Sequence, residues 1–320
     1  MSWKPELEEL AERQRLAEKM GGEEKVARQH DRGKLDARAR IAGIVDEGSF
    51  REIGKIAGRG TYAEDGTFED FAPSNLIFGR ANIEGRPVVA SADDFTVRGG
   101  AADAALHRKF TQCEKMAHTL GIPMIRMIDG TGGGGSVKSL EDMGFTYVPA
   151  VPGWEDIIRN LDTVPVVALA LGPTAGMGAA RTVASHYSIM VKGLSQIFAA
   201  GPAVAAAIGD TLTKEQLGGS EIHATNGVVD EEVASEAEAF VTARKFLSYL
   251  PGNVNQLATR TENWDPVDRR DESLLSAVPR ADKQVYSMRK IMTSVFDEGS
   301  VFEMGKRWGR AAITAFARLD

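Results

Sequence analysis

The sequence predicts an α/β protein, on the basis of two glycine-terminated apolar stretches and one internal repeat. Residues 164–191 contain a continuous apolar run from Val166 to Leu171, a loop rich in Gly and Pro from Gly172 to Gly178, a short helix over 179–185, and a second apolar run over 187–191. A further apolar run, Met124–Asp129, also ends in glycines. Short apolar runs bounded by turn residues are typical of strands buried on both faces and connected through helices.

Length and composition limit the class of protein. A chain of 320 residues is long enough for two domains, and its net charge of −7 argues against nucleic acid as the main partner. The one cysteine, Cys113, excludes a disulfide framework or a cysteine zinc site within these residues. No apolar stretch approaches about 18 residues and the N-terminus has no signal-peptide pattern, so we expect a cytoplasmic protein without a membrane partner.

The loop Gly172–Gly178 has two interpretations. Backbone N–H groups in such a loop, followed directly by a helix N-terminus, can hold an oxyanion or a polarised carbonyl. Alternatively, the loop is a tight crossover that needs glycine only for packing. The loop residues alone leave both interpretations open.

Two other stretches place glycine after a predicted strand. Asp94–Gly100 opens into a glycine turn, and residues 130–136 read Gly-Thr-Gly-Gly-Gly-Gly-Ser, which indicates close approach of another group to this backbone. Lys138 is not preceded by the glycine spacing of a P-loop, and no acidic residue follows at the position of a dinucleotide fold.

The helix predicted over 101–120 places Cys113 on its buried stripe. The opposite face carries His107, Glu114 and His118, whose spacing resembles a metal-binding face. Nothing else in the sequence supports a metal there, and we expect this face to be solvated. A solvated helical pair is likewise expected for residues 5–20 and 36–44, and a single helix for 231–250.

An internal repeat indicates the domain organisation. Residues 297–306, DEGSVFEMGK, match residues 46–55, DEGSFREIGK, at seven of ten positions and an offset of 251. We expect a first domain over 1–250, a polar linker over 251–284, and over 285–320 the truncated start of a second domain like the first.

Five motifs in order resemble the carboxyltransferase (beta) subunit of the biotin-dependent acyl-CoA carboxylases, the propionyl-CoA and 3-methylcrotonyl-CoA carboxylase group. The motifs are Asp46–Phe50, Asp94–Gly100, Gly172–Gly176, Leu217–Gly219 with His223, and Leu247–Pro251. The resemblance covers nearly the whole chain. It implies a crotonase-like (ClpP/crotonase) fold, a superhelical ββα spiral, and carboxyl transfer from carboxybiotin to an acyl-CoA.

The resemblance also implies cofactors and partners. Biotin is expected on a carrier belonging to a biotin carboxylase (alpha) subunit, with no metal on this chain. The chain is expected to assemble as a homohexamer in which each active site lies between two protomers. A local basic patch for the phosphates of CoA is compatible with the scattered Lys and Arg residues.

Site residues follow from the same resemblance, residue by residue. It implies that the backbone N–H groups of Gly176 and Met177 stabilise the enolate oxygen of the thioester, and that the biotin nitrogen takes the α-proton in place of a side-chain base. The family usually has glycine where Met177 stands. The residues implied to bind acyl-CoA are Gly99, Gly100, Gly132, Gly133, Gly134, Thr174, Ala175 and Gly201.

Some positions depart from the family pattern and keep alternatives open. Residues 130–136 replace the usual Asp-Ser-Gly-Gly-Ala-Arg loop, and Ala203 and Ser287 stand where aspartate is usual. The acyl group is therefore left open. A biotin-dependent acyl-CoA decarboxylase subunit and a non-catalytic scaffold subunit are alternatives, whereas the lack of a Glu pair at the glycine loops argues against a hydratase.

Overall fold

A mixed sheet of eight strands forms the centre of the molecule. The computed structural model describes residues 2–101, 106–130, 141, 143–145, 153–262 and 265–319. The sheet has the order β1-β4-β5-β6-β7-β8-β10, and β9 pairs with the end of β7. Its strands are β1 Arg51–Glu52, β4 Leu76–Ile83, β5 Arg86–Asp93, β6 Met124–Gly130, β7 Val166–Ala175, β8 Tyr187–Val191, β9 Gln196–Phe198 and β10 Glu231–Val233. A separate hairpin is formed by β2 Gly58–Tyr62 and β3 Phe68–Pro73.

The sheet changes from antiparallel to parallel at β5. β4 and β5 form a hairpin whose turn has positive φ at Glu84 (51°) and Gly85 (75°), as a two-residue turn of this kind requires. From β5 through β6, β7 and β8 to β10 all neighbours are parallel. The carboxyl ends of these parallel strands therefore meet at one edge of the sheet.

Helices cover both faces of the sheet. α3 and α10 pack on one face with the largest apolar cluster, and α4 and α5 pack on the other. The helices are α1 Lys4–Glu18, α2 Glu23–His30, α3 Ala37–Ile44, α4 His107–Leu120, α5 Trp154–Thr163, α6 Met177–Val183, α7 Pro202–Ala207, α8 Lys214–Gly218, α9 Ser220–Asn226, α10 Glu236–Ser248 and α11 Met288–Val295. Within the described ranges, none of these helices combines the length and apolar character that a membrane crossing needs.

The structure confirms the predicted buried strands and corrects the boundaries of the segments after them. Residues 172–175 are not loop, because β7 continues through a bulge opposite Asp129 and then pairs with β9. α6 consequently begins at Met177, two residues before the predicted start. The single helix expected over 231–250 is instead a short strand followed by α10, whose N-cap is Ser235.

Two expected solvated faces are buried. α3 packs Ala37, Ile41 and Ile44 into the core at 2% exposure or less, whereas α1 is largely exposed, as expected. On α4, Glu114 is 1% exposed, so the solvated face predicted around it is wrong. The cause is a charged partner, Arg126, on the neighbouring strand β6, which periodicity along α4 does not reveal.

The repeated segment has the same local structure in both copies. In the first, α3 leads to β1, which pairs with β4; in the second, α11 leads to β11 Phe302–Met304, which pairs with β12 Thr314–Phe316. The ion pair between Arg38 and Glu52 recurs between Arg289 and Glu303 at the same offset. The glycines at positions 48 and 299 share a φ of 68–69°. The sequence repeat is therefore also a structural repeat.

Candidate functional site

The loop after β5, the last residue of β6 and the turn after β7 converge at the carboxyl edge of the parallel strands. A methyl group placed on Gly100 would lie 2.6 Å from Gly130 Cα, so the two backbones touch. A methyl group on Gly178 would lie 3.0 Å from Thr174 Cγ2 and 3.7 Å from the Gly130 carbonyl oxygen. Glycine is required at 100 and 130 by this close approach of the loop after β5 to the end of β6.

The turn into α6 brings the N-terminus of that helix to the same loop convergence. Gly176 has φ 54° and ψ −114°, a conformation suited to glycine, and Met177 occupies the first helical position. An N–H at that position has no acceptor within its helix. The Gly176 N–H, by contrast, donates to the Phe198 carbonyl at 3.1 Å. The Met177 N–H is therefore the better placed of the two predicted donors.

A basic cleft opens beside this convergence. It has a volume of about 410 Å³ and lies between α2, the loop after β5, and Pro173 in the β7 bulge. Six cationic side chains line it, and the described residues that line it include no carboxylate. They are Lys25, Arg28, Arg32, Lys34, Arg98 and Lys214. On a chain with a net charge of −7, this concentration of positive charge favours an anionic ligand.

A buried charge cluster lies behind Lys34, a lining residue of the cleft. Asp129, at the end of β6 and fully buried, accepts from Arg40 Nη1 at 2.7 Å and pairs with the Lys34 ammonium. Arg40 also holds Glu236 through Nε and Nη2 at 3.0 Å. Burial lowers the pKa of Lys34, and the negative charge of Asp129 opposes that shift. The Lys34 ammonium also lies against Phe95, with Nζ 4.6 Å from the ring centroid.

The predicted site residues fall into three groups. Gly99 lines the cleft, and Gly100 and Thr174 lie at the loop convergence with Gly176 and Met177. Ala175 pairs with Phe198, whose ring lies 3.7 Å from a methyl group placed on Gly201. Gly132, Gly133 and Gly134 lie outside the described residues.

Sequence reasoning missed the cations of the cleft. Lys25, Arg28 and Arg32 follow one another at spacings of three and four, which places them on one face of a helical segment. That pattern was the available signal, although such stripes are common on solvated helices. Within the described ranges, no group of three or more His, Cys, Asp and Glu side chains is arranged to hold a metal ion.

Comparison with known proteins relates the chain to a family. The family model "Carboxyl transferase domain" matches residues 28–320. The chain is 31% identical to the propionyl-CoA carboxylase carboxyltransferase subunit of Haloferax mediterranei, over 100% of this chain and 61% of that protein. It is 30% identical to the methylmalonyl-CoA decarboxylase subunit alpha of Veillonella parvula, over 94% of this chain and 58% of that protein.

A solved structure agrees with the sequence comparisons. The transcarboxylase 12S hexamer, solved with methylmalonyl-coenzyme A bound, superposes with a TM-score of 0.83 at 28% identity and covers 100% of this chain. The chain spans 61% of that protein's length, as it does of the Haloferax relative. By the match of its residues 28–320, the chain belongs to the carboxyl transferase domain family.

Proposed function

We propose that the chain is the carboxyltransferase component of a biotin-dependent acyl-CoA carboxylase, with a crotonase-like fold. The observation that carries this proposal is the basic cleft, whose lining residue Gly99 directly precedes Gly100 at the loop convergence. A ligand with a polyanionic end and a reactive carbonyl suits both features. An acyl-CoA is such a ligand.

The cleft binds the phosphates of CoA in this proposal. Lys25 on α2, Arg32 in the turn after α2 and Lys214 on α8 approach the cavity from different parts of the chain, so they can contact different phosphate groups. Hydrogen bonds from such cations to phosphate are among the stronger polar contacts in proteins. Gly99, Gly100, Thr174, Ala175 and Gly201 then border the pantetheine and acyl groups, and we propose the same role for Gly132, Gly133 and Gly134.

The turn at Gly176 and Met177 stabilises the enolate oxygen. The Met177 N–H contributes as an orphan donor of α6, and Gly176 contributes a second N–H when it exchanges its bond to Phe198. One preorganised oxyanion donor is worth roughly 3–4 kcal/mol in the transition state. Carboxybiotin on the partner's carrier would be the second substrate; it would supply CO₂ and, once CO₂ has left, the biotin nitrogen that takes the α-proton.

The assembly proposal follows the same family. We propose a cytoplasmic homohexamer that works with a biotin carboxylase and biotin carrier subunit. The repeated α11–β11–β12 unit supports a first domain over 1–250, a linker over 251–284 and the start of a second such domain over 285–320. Ala203 at the second position of α7 and Ser287 at the N-cap of α11 are the departures that bear on the choice of acyl group.

A decarboxylase subunit is the second candidate. The 30% identity to the Veillonella decarboxylase subunit alpha favours it, since both directions of the reaction need the same enolate stabilisation. The carboxylase and decarboxylase candidates differ in the partner complex rather than in the chemistry of this chain.

Loss of the carboxyl group from a CoA ester tests the proposal. The full-length protein is incubated with free biotin and with malonyl-, methylmalonyl-, methylglutaconyl- and a hydroxylated carboxyacyl-CoA. Biotin-dependent turnover of one ester is expected and identifies the substrate class. A folded, oligomeric protein that turns over none of them would point to a non-catalytic scaffold.

Removal of positive charge from the cleft tests the proposed binding of the CoA phosphates. The double variant Arg32→Gln/Lys214→Gln is expected to raise KM roughly tenfold or more with kcat little changed, because charged hydrogen bonds to phosphate are lost. Lys283→Gln, in the exposed linker, serves as the control. A KM equal to that of the control would contradict phosphate binding in this cleft.

A further inference from the structure

We propose that the buried ion pair between Glu114 and Arg126 positions α6, and through α6 the N–H of Met177. This role rests on the proposed function, because it concerns the donor that faces the thioester. Both side chains are at most 1% exposed. Neither residue lines the basic cleft, and neither belongs to the loop convergence.

Arg126 contacts α6 directly at its C-terminal end. Its Nη1 donates to the carbonyl oxygens of Arg181, at 3.2 Å, and Ala184, at 2.5 Å. The last carbonyls of a helix have no intrahelical donor, and a cation there also suits the helix dipole. Arg126 therefore holds the end of the helix opposite to Met177.

Glu114 fixes the guanidinium of Arg126 in that orientation. Its two carboxylate oxygens accept from Arg126 Nε and Nη2, each at 2.8 Å, in a bidentate pair. Asn160, fully buried on α5, donates to Glu114 Oε2 at 3.0 Å and to the Glu114 carbonyl at 3.1 Å. A chain of contacts thus runs from α5 through α4 and β6 to α6.

A second contact restrains the same helix from its side. Arg181 Nη1 lies 3.2 Å from both carboxylate oxygens of Asp93 at the end of β5, and its guanidinium lies 4.6 Å from the Phe110 ring centroid. With one anchor at its side and another at its C-terminal end, α6 has a defined position and direction. Since α6 has only seven residues, a shift at either anchor reaches Met177.

Replacing both charged side chains tests the positioning role without leaving an unpaired buried charge that would itself destabilise the protein. A buried ion pair can often be replaced by apolar side chains without loss of stability, whereas removal of one partner leaves a buried charge. The test variant is Glu114→Met/Arg126→Met in the full-length protein; Glu114→Gln, which keeps the shape of the side chain but leaves the Arg126 charge unpaired, is the second variant. Ile83→Val, in the core beside the β4–β5 turn and away from the site edge, is the control for a small loss of packing.

Two measurements read out the position of α6. Amide hydrogen exchange over 177–184 is expected to quicken at least tenfold in the double variant while exchange in β4 and β5 stays unchanged. With the CoA ester that the wild-type protein turns over, kcat is expected to fall about 10- to 100-fold with little change in KM. The reason is that the substitutions displace the Met177 N–H but leave the CoA-binding cleft intact.

The outcomes distinguish this proposal from the proposed function. Unchanged exchange over 177–184 in a folded double variant overturns the positioning role, whatever the activity. A double variant with the kcat of Ile83→Val also overturns it and leaves the carboxyltransferase assignment intact. A wild-type protein without turnover would count against the carboxyltransferase assignment alone. Amide hydrogen exchange over 177–184 would still test whether the ion pair positions α6.

Discussion

At the scale of single residues, Gly172 shows how closely charge and backbone meet at this site. A methyl group there would lie 2.6 Å from Lys34 Nζ and closer still to Asp129 Oδ1. The bulge in β7 therefore lies directly against the Lys34–Asp129 pair. Only glycine leaves room for a buried ion pair to touch this backbone.

Gly172→Ala is expected to separate Lys34 from Asp129. Overpacking of this kind typically lowers the free energy of unfolding by about 1–3 kcal/mol. Urea denaturation measures the loss, and KM for the CoA ester is expected to rise with it, because Lys34 lines the cleft. Gly252→Ala is the control, since its nearest neighbour is the end of the flexible Gln256 side chain. Equal stability of the two variants would contradict the close contact.

At the scale of elements, α4 carries two buried charges of different kinds. Glu114 is paired with Arg126, whereas Lys109, 7% exposed, lies beside Gly54, with Cε 3.6 Å from a methyl group placed there. Burial lowers the pKa of Lys109 to about 8, although the charge of Glu52 opposes the shift. The pKa of an unfolded lysine is near 10.4. Burial of the charged Lys109 side chain therefore costs free energy of folding at neutral pH.

Lys109→Met is expected to stabilise the protein at pH 7. Because the folded state binds fewer protons than the unfolded state between pH 8 and about 10.4, the wild-type protein regains this cost as the pH rises through that window. The gain from the substitution, up to about 3 kcal/mol at pH 7, should therefore shrink at pH 9 and above. Urea denaturation at both pH values measures it.

Lys115→Met provides the matched control on the same helix, because Lys115 is exposed. A gain at pH 7 that equals the control's, or that persists unchanged at high pH, would show that Lys109 is not held as a destabilised cation.

At the scale of the whole molecule, the second copy of the repeat is attached through aromatic rings. Tyr249, just after α10, stacks on Phe316 with centroids 5.7 Å apart and on Phe302 at 5.9 Å. Phe302 and Phe316 are directly paired across β11 and β12. Phe246 on α10 continues the cluster into the main core, where it stacks on Tyr187 at 4.6 Å. The second copy is therefore joined to α10 and the main core by packing as well as by the chain.

Phe302→Ala is expected to loosen the second copy selectively. Loss of a partly buried aromatic side chain should cost roughly 2 kcal/mol of this attachment, less than for a fully buried ring. Amide exchange over 288–319 should quicken while β6 and β7 keep their protection. Tyr286→Ala, at an exposed ring before α11, is the control; uniform quickening in both copies would mean that the cluster does not act locally.

Local patterns predicted much of the fold. The apolar runs at 124–129, 166–171 and 187–191 are strands, and the helix predicted to end at residue 120 does end at Leu120, followed by Gly121 in the left-handed conformation. These features depend on neighbouring residues, so periodicity and turn chemistry find them. The end of β7 was missed because its pairing with β9 outweighs the local preference of Gly172-Pro173.

The sequence by itself determined the buried strands, the glycine loops, the structural repeat and the resemblance to acyl-CoA carboxyltransferases. Only the tertiary structure decided which charges are buried together and which form the cleft. Arg40 meets Asp129 across 89 positions and Glu236 across 196, and Glu114 meets Arg126 from a helix to a strand. Apolar burial leaves a periodic trace along the chain, but a charge looks the same in sequence whether its partner is water or a distant side chain.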